Sequence, residues 1–310
     1  MRIVRSVLTF ALLSLVACGE GVDTEKLPNS AGAAEHPPQI YTVNYPLAWA
    51  AQQLVEEGAE VRFPAPGDID PAFWQPDLDT VAAYQQADLV LLNGANYARW
   101  LSRVSLPENR LVDTSHAFTG QLIAADAGPA HSHGPEGAHS HDIVAFTVWL
   151  DLSLYVQQVQ AIAAVLATKF PQLTDSIAVR NTELIDRLTD MDAQLMKLGS
   201  HLNGVPVLYS HPVYQYFQRR YKLNGLALHW EPDQPPSAQD WAALDALLKQ
   251  HPAQVMLWED EPLPATRARL KEHGVEAVVF MPMGNRPPDG DFLSGMSANI
   301  DRLKTFFHPR

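Results

Sequence analysis

Hydrophobic and polar positions follow two repeating patterns along most of the chain. Short apolar runs such as QIYTV (39–43) and DLVLLNG (88–94) have the length of buried strands. Segments such as YPLAWAAQQLVEEG (45–58) place apolar residues at helical spacing instead. Strand–helix alternation over residues 39–150 and again over residues 203–310 predicts an α/β protein of two lobes, each with a mostly parallel four-stranded sheet.

A long helical region separates these two lobes. Residues 151–202 keep apolar residues at helical spacing, and Pro171 lies near the start of a segment of roughly eight helical turns. A helix of that length reaches about 40 Å, which is enough to span a whole domain. The pattern therefore predicts a backbone helix that joins the lobes stiffly and allows only a small closure.

The start of the chain has the character of a targeting segment. Residues 1–17 join Arg2 and Arg5 to an apolar run that is too short for a comfortable transmembrane helix, as in a secretory signal peptide. The tetrapeptide LVAC, which ends at Cys18, matches the lipobox of bacterial lipoproteins, although a plain signal peptide with an incidental cysteine is the alternative. Residues 18–38 are small and polar, as in a flexible tether. We predict lipid attachment at Cys18 and a location at the periplasmic face of the inner or outer membrane.

Charge and motif content narrow the classes of function. The chain has 22 basic and 35 acidic residues, a formal net charge of −13, which argues against a nucleic-acid partner. Cys18 is the single cysteine, so a lipidated chain has no thiol left for a disulfide and depends on its core for stability. The sequence has no Gly-x-Ser-x-Gly elbow, Gly-rich phosphate loop or His-Glu-x-x-His motif, and we predict that the protein is not an enzyme.

A polar loop at residues 125–142 concentrates histidine. It contains two His-x-His pairs, formed by His131, His133, His139 and His141. Four imidazole nitrogens are the right ligand type and number for zinc, nickel or copper(II), and Glu136 could replace one of them. We predict a metal-binding loop that needs neutral imidazoles, and the alternative is a solvated loop with loose, unselective affinity.

Four segments resemble the motifs of a known family. DPAFWQPDLDTVAAYQQADLV (70–90) is similar to Asp-Pro-His-x-x-x-Pro followed by Ala-Asp-Leu-Val, and FTVWLDL (146–152) to His-x-Trp-Leu-Asp-Pro. YSHPVYQYF (209–217) resembles His-x-x-x-x-Tyr-Phe, and VVFMPMG (278–284) resembles Asp-Pro-Leu-Gly. These motifs are those of the periplasmic solute-binding proteins of zinc and manganese ABC importers, the ZnuA/TroA-type family. The resemblance implies a monomer that holds metal in the cleft between two lobes and works with an ABC permease and its ATPase.

The metal ligands of that family do not carry over as a set. The resemblance places them at Ala72, Thr147, His211 and Met281, and of these residues only His211 is a good zinc ligand. Three interpretations therefore stay open. The metal binds elsewhere, the cleft holds something other than free zinc, or the protein no longer binds cargo there.

Other residues of the expected cleft could build a different site. Glu231 and Glu259 follow predicted strands and could complete a metal site with His211, which we expect to begin the helix after its strand. Met281 with His211 could form a soft copper(I) site. Aromatic side chains beside two lost ligand positions would suit an organic ligand or a metal chelate; they are Trp74 and Trp149. The alternatives are a structural histidine, solvated acids in strand-end loops, and methionine and tryptophan as packing residues.

The sequence thus predicts a lipid-anchored metal-binding protein of an ABC import system, which captures metal and delivers it to a permease. Zinc is the expected metal, and manganese, nickel and copper stay open. A metal chaperone or buffer of the cell envelope, and a binding protein for an organic ligand or metallophore, are the alternative functions.

Overall fold

The computed structural model of the protein describes residues 37–125 and 143–307. Several sequence predictions concern residues outside these ranges: the signal peptide, Cys18, most of the tether, and His131, His133, His139 and His141. The predicted domain ranges stay predictions. None of the described helices is both long and apolar enough to cross a membrane.

Two parallel sheets of four strands each form the framework of the described residues. In chain order the strands are β1 (Gln39–Thr42), β2 (Glu60–Arg62), β3 (Leu89–Leu92), β4 (Leu111–Asp113), β5 (Ala124–Ala125), β6 (Ile143–Val144), β7 (Pro206–Tyr209), β8 (Asn224–Ala227), β9 (Val255–Trp258) and β10 (Glu276–Val279). The sheet of lobe 1 has the order β2-β1-β3-β4 and that of lobe 2 the order β10-β9-β7-β8, while β5 and β6 form a short antiparallel pair. This topology confirms the predicted fold class.

Helices cover the sheets, and the central strands are apolar because both of their faces are buried. In chain order the helices are α1 (Tyr45–Val55), α2 (Leu78–Gln86), α3 (Leu152–Lys169), α4 (Thr174–His201), α5 (Gln215–Tyr221), α6 (Ala238–Gln250), α7 (Pro264–Glu272) and α8 (Phe292–Phe307). All four residues of β9, with the sequence VMLW, are buried. Continuous apolar runs are expected wherever a parallel strand is covered on both faces.

Side chains at the start of several helices explain where those helices begin. The Asn44 side chain accepts a hydrogen bond from the Leu47 N–H at the start of α1, and Asp151 caps α3 in the same way. Ser237 and Asp240 form a reciprocal capping box at the start of α6. Each of these contacts satisfies backbone N–H groups that have no partner within the helix.

The predicted long helix is present and contacts both lobes. α4 has 28 residues, which corresponds to about 40 Å. It begins at Thr174, after a separate 3₁₀ turn at Pro171–Leu173, so Pro171 precedes this helix and does not lie inside it. α4 packs against α1 and α3 on one side of the molecule and against α5 and α8 on the other. The helix therefore holds the two lobes in a fixed relation.

Direct hydrogen bonds also join the two lobes. The Tyr45 N–H at the start of α1 donates to the carbonyl oxygen of Gly284 at 3.0 Å. The Tyr216 hydroxyl in α5 donates to the carbonyl oxygen of Ala145 at 2.9 Å. Tyr45 and Gly284 lie shortly after β1 and β10, so the carboxyl ends of the two sheets face each other.

A substitution at Gly199 tests how closely α4 packs on lobe 2. A Cβ atom at Gly199 would overlap the carbonyl oxygen of Tyr221 at the end of α5. We expect Gly199→Ala to lower the free energy of unfolding by about 1–3 kcal/mol through overpacking, although alanine alone favours a helix by about 1 kcal/mol. Urea unfolding of the variant measures the effect.

Gly120→Ala provides the matched control, because a Cβ atom there meets nothing within 4 Å. Its stability should stay within about 0.5 kcal/mol of the parent. A Gly199→Ala protein that is as stable as the parent would show that α4 and α5 are not in tight contact.

Candidate metal site between the lobes

Protein contacts occupy three of the four positions that the family resemblance assigns to metal ligands. Ala72 is 1% exposed. The Thr147 hydroxyl donates to the carbonyl oxygen of Val213 at 2.6 Å, which joins the two lobes at this point. The backbone N–H and carbonyl of Met281 pair with the side-chain amide of Asn299 at 3.0 and 2.8 Å. These positions stabilise the structure and offer no imidazole or carboxylate to a metal.

The two tryptophans beside these positions are packing residues in this conformation. Trp149 is 1% exposed, its indole N–H donates to the carbonyl oxygen of Pro282 at 2.6 Å, and its ring centroid lies 5.6 Å from that of Tyr97. Trp74 and Met281 are partly buried against the hydrophobic core. The alternative packing interpretation therefore accounts for their contacts, while a role in organic-ligand binding stays a prediction.

His211 lies directly beyond the carboxyl end of β7, where other polar residues meet it. Its Nε2 atom is 3.5 Å from Oε1 of Glu231, and its ring centroid is 5.8 Å from that of His229 at a right angle. His211 is 9% exposed. His211, His229 and Glu231 therefore share one neighbourhood, and their role in metal binding stays a prediction.

The prediction that His211 begins a helix is wrong. Pro212 follows it, and the Val213 N–H donates to the carbonyl oxygen of His211 at 2.9 Å, so the chain turns here. The helix begins only at Gln215. This turn leaves the imidazole at the edge of the sheet, next to the residue that follows β9.

Glu259 directly follows β9, and its surroundings raise the pKa of its carboxyl group. Burial raises its pKa to about 8, and the negative charges of Glu231, Asp70 and Asp260 contribute further. The residue is partly buried at the end of the apolar strand. A carboxyl group in such surroundings is stabilised by a proton or by a bound cation.

Asp70 of lobe 1 is the cleft residue that sequence reasoning missed. The residue keeps contact with solvent, yet the protein around its carboxyl group desolvates it and raises its pKa. The Ala72 N–H, which donates to Oδ1 at 2.9 Å, and the charge of Arg99 act in the opposite direction. Asp70 is the aspartate of the Asp-Pro pair in the family motif, whereas the ligand position of that motif falls on Ala72.

The cleft therefore brings together imidazole and carboxylate groups without a finished metal geometry. The groups that lie together at the carboxyl ends of β7 and β9 are His211, His229, Glu231 and Glu259. Within residues 37–125 and 143–307, no three His, Cys, Asp or Glu side chains are already arranged to hold an ion. Binding of a metal here would require side-chain rotation toward a common centre.

The raised pKa of Glu259 predicts a pH-dependent stability for the metal-free protein. Because the pKa is about 8 in the folded chain and 4.5 ordinarily, the folded state binds more protons between these values. The contribution of Glu259 is therefore complete below pH 4.5 and is lost as the pH rises through 8. We expect Glu259→Gln to be more stable than the parent at a pH of about 8.5, and nearly equal to it at about 5.

Urea unfolding of the metal-free proteins at both pH values measures this difference. Glu57→Gln, at an exposed position in lobe 1, is the control and should show no such trend. A Glu259→Gln effect of the same size at both pH values would contradict the assignment of a desolvated carboxyl group.

Comparisons with known proteins agree with the fold. The family described as "Zinc-uptake complex component A periplasmic" matches residues 40–306. The high-affinity zinc uptake system protein ZnuA of Bacillus subtilis is 25% identical over 315 residues, covering 96% of this chain and 95% of that protein.

Solved structures show the same two-lobed architecture. The metal-dependent lipoprotein YcdH of Bacillus subtilis has a TM-score of 0.74 at 21% identity, covering 86% of this chain and 98% of that one. The Zn(II)-bound ZnuA-like domain of Streptococcus pneumoniae AdcA has a TM-score of 0.72 at 20% identity, covering 86% and 98%. The solute-binding protein FpvC of Pseudomonas aeruginosa, in complex with Mn²⁺, has a TM-score of 0.66 at 20% identity, covering 87% and 97%. The chain belongs to the ZnuA family of periplasmic solute-binding proteins for metal ABC import, whose members serve transport and are not enzymes.

Proposed function

We propose that this protein captures a divalent metal ion, with zinc as the first candidate, in the cleft between its lobes and delivers it to an ABC permease. The observation that carries the proposal is the convergence of His211, Glu231 and Glu259 at one edge of the lobe 2 sheet. The cargo site is thus shifted away from the positions at which the family resemblance expects ligands.

The arrangement of these residues fits a metal better than it fits an uncharged solute. His211 and Glu231 are already 3.5 Å apart, and the charge of Glu231 contributes to the raised pKa of Glu259. A divalent cation would offset the repulsion between these carboxylates and supply the charge that burial disfavours. Imidazole nitrogen and carboxylate oxygen are both zinc ligands.

The fold supports cargo at this position. His211 and Glu259 each follow a parallel strand, at the carboxyl edge where α/β proteins bind their ligands. The two neighbouring strands β7 and β9 bring these residues together. Relatives support the choice of metal, since the AdcA domain is described as Zn(II)-bound and FpvC as a Mn²⁺ complex.

The proposed function also uses residues outside the described ranges, namely the loop histidines, Cys18 and the tether. The four loop histidines would collect metal close to the membrane surface, with nickel and copper as further candidates for this ligand set. The lipid on Cys18 would hold the protein at the periplasmic face, and residues 18–38 would give it reach. The permease and its ATPase would then receive the ion from the cleft.

A zinc titration separates the cleft from the histidine loop. We expect His211→Ala to raise the dissociation constant of the tightest site at least about tenfold, the lower end of the loss that follows removal of outer-shell partners of a metal. Replacing His131, His133, His139 and His141 with serine should remove weaker sites and keep the tight one. Calorimetry of residues 18–310 in both variants measures this.

His273→Ala is the matched control, because His273 also pairs with a carboxylate, Asp245 at 2.7 Å, but lies between helices α6 and α7. It should bind zinc like the parent. If tight binding survives in His211→Ala and disappears with the loop histidines, the loop is the cargo site and the cleft proposal is wrong.

A further inference from the structure

We infer that Tyr216 is a releasable latch between the strand pair β5–β6 of lobe 1 and helix α5 of lobe 2. Its hydroxyl group is inserted into the hydrogen-bond ladder of that pair, and it can be withdrawn without leaving a backbone group unpaired. The latch is a conformational device of the fold, and it is independent of the metal site proposed above.

The ladder between β5 and β6 is interrupted at the end away from residues 126–142. The register pairs Ala124 with Val144, so the next pair along the ladder is Ile123 with Ala145. The Ala145 N–H donates to the carbonyl oxygen of Ile123 at 2.9 Å. Two residues that pair in this way in an antiparallel ladder exchange a second, reciprocal hydrogen bond. A bond from the Ile123 N–H to the Ala145 carbonyl is therefore expected here.

Tyr216 takes the place of this reciprocal bond. The Ile123 N–H donates to the hydroxyl oxygen of Tyr216 at 3.1 Å, and that hydroxyl donates to the carbonyl oxygen of Ala145 at 2.9 Å. A single hydroxyl group thus accepts from one strand and donates to the other. The Tyr216 side chain is buried, and a buried tyrosine hydroxyl needs such partners.

Two contacts on either side of Tyr216 attach the same segment of lobe 2 to lobe 1. Before α5, the carbonyl oxygen of Val213 accepts from the Thr147 hydroxyl at 2.6 Å. One helical turn after Tyr216, the Arg219 guanidinium donates to the carbonyl oxygen of Gln121 at 2.6 Å, and its Cζ atom lies 5.1 Å from the centre of the Tyr216 ring. The latch therefore has three points of contact, with the tyrosine in the middle.

The ladder has two arrangements in which both interrupted backbone groups are paired. With Tyr216 inserted, its hydroxyl serves the Ile123 N–H and the Ala145 carbonyl. With Tyr216 withdrawn, these two groups can bond directly to each other and complete the ladder, while water pairs with the released hydroxyl. An element with two satisfied arrangements can switch between them, whereas release of a contact that left a buried group unpaired would be resisted.

The contact between the lobes at the start of α8 has a different character. The ring centroid of Phe292 lies 5.2 Å from that of Trp49 and 4.9 Å from that of Tyr155, and all three side chains are buried. Separation of these rings would expose apolar surface to water. Because α4 also packs against both lobes, release of the latch frees the strand pair from α5 while the lobes stay together.

Tyr216→Phe tests the latch, because phenylalanine keeps the ring and removes only the hydroxyl group. The readout is the distance between spin labels on Ala124→Cys in β5 and Ala227→Cys in β8, which are both exposed positions. Cys18 is the single native cysteine, so the mature chain with Cys18→Ser carries no other label. We expect the ratio of long to short label distances to rise about tenfold, the effect of losing one to two hydrogen bonds.

Tyr214→Phe is the matched control. The Tyr214 side chain is also buried, and its hydroxyl donates to the carbonyl oxygen of Phe280 at 2.7 Å, but this bond lies within lobe 2. The control should give the label distances of the parent, although it too loses a buried hydrogen bond. Equal distances in Tyr216→Phe, Tyr214→Phe and the parent would overturn the latch.

Hydrogen exchange of the Ile123 amide tests whether the ladder closes after withdrawal. In Tyr216→Phe this amide should keep its protection to within about tenfold of the parent, because it bonds directly to Ala145. A loss of protection by a factor of about a hundred or more would overturn the two arrangements. If Tyr216→Phe does not fold, Thr147→Val replaces it, since it removes the neighbouring bond to Val213. A rise in the long label distances then supports the latch, and no rise overturns it.

Discussion

The packing of α4 against both lobes is the constraint on which the rest of the structure depends. This helix contacts α1 and α3 at lobe 1 and α5 and α8 at lobe 2. Its buried residues Leu184, Leu188, Met191 and Leu195 recur at spacings of four, three and four, which gives one continuous apolar stripe. Since the helix contacts both lobes, we expect the distance between the carboxyl ends of their strands to change little.

Contacts between the lobes fill the region in which the family resemblance expects metal ligands. Thr147 reaches across to Val213, and the Trp149 indole reaches Pro282, so the lobes are joined where the resemblance expects metal. Imidazole and carboxylate groups collect beside these contacts, around His211 and Glu259. The cation site that we propose uses these groups in place of the positions that the family resemblance assigns to ligands.

Much of this arrangement could be predicted from sequence, because parallel strands covered on both faces appear as apolar runs and α4 as a long amphipathic segment. His211 and Glu259 could be placed at strand ends for the same reason. The position of the segment before Asp70 could not, because it depends on hydrogen bonds from Asn285, which is 219 positions from Pro66 and 216 from Ile69. The turn at Pro212, which separates His211 from its helix, is likewise set by local hydrogen bonding that helical spacing does not reveal.

We propose that the cargo ion binds in the cleft, beside the family's expected position. Crystals grown with zinc and measured at the zinc absorption edge would locate the ion directly through its anomalous signal. We expect a peak about 2.0–2.2 Å from the imidazole of His211 and from carboxylate oxygens of the cleft. A fully occupied peak at the histidine loop, with none beside His211, would contradict it.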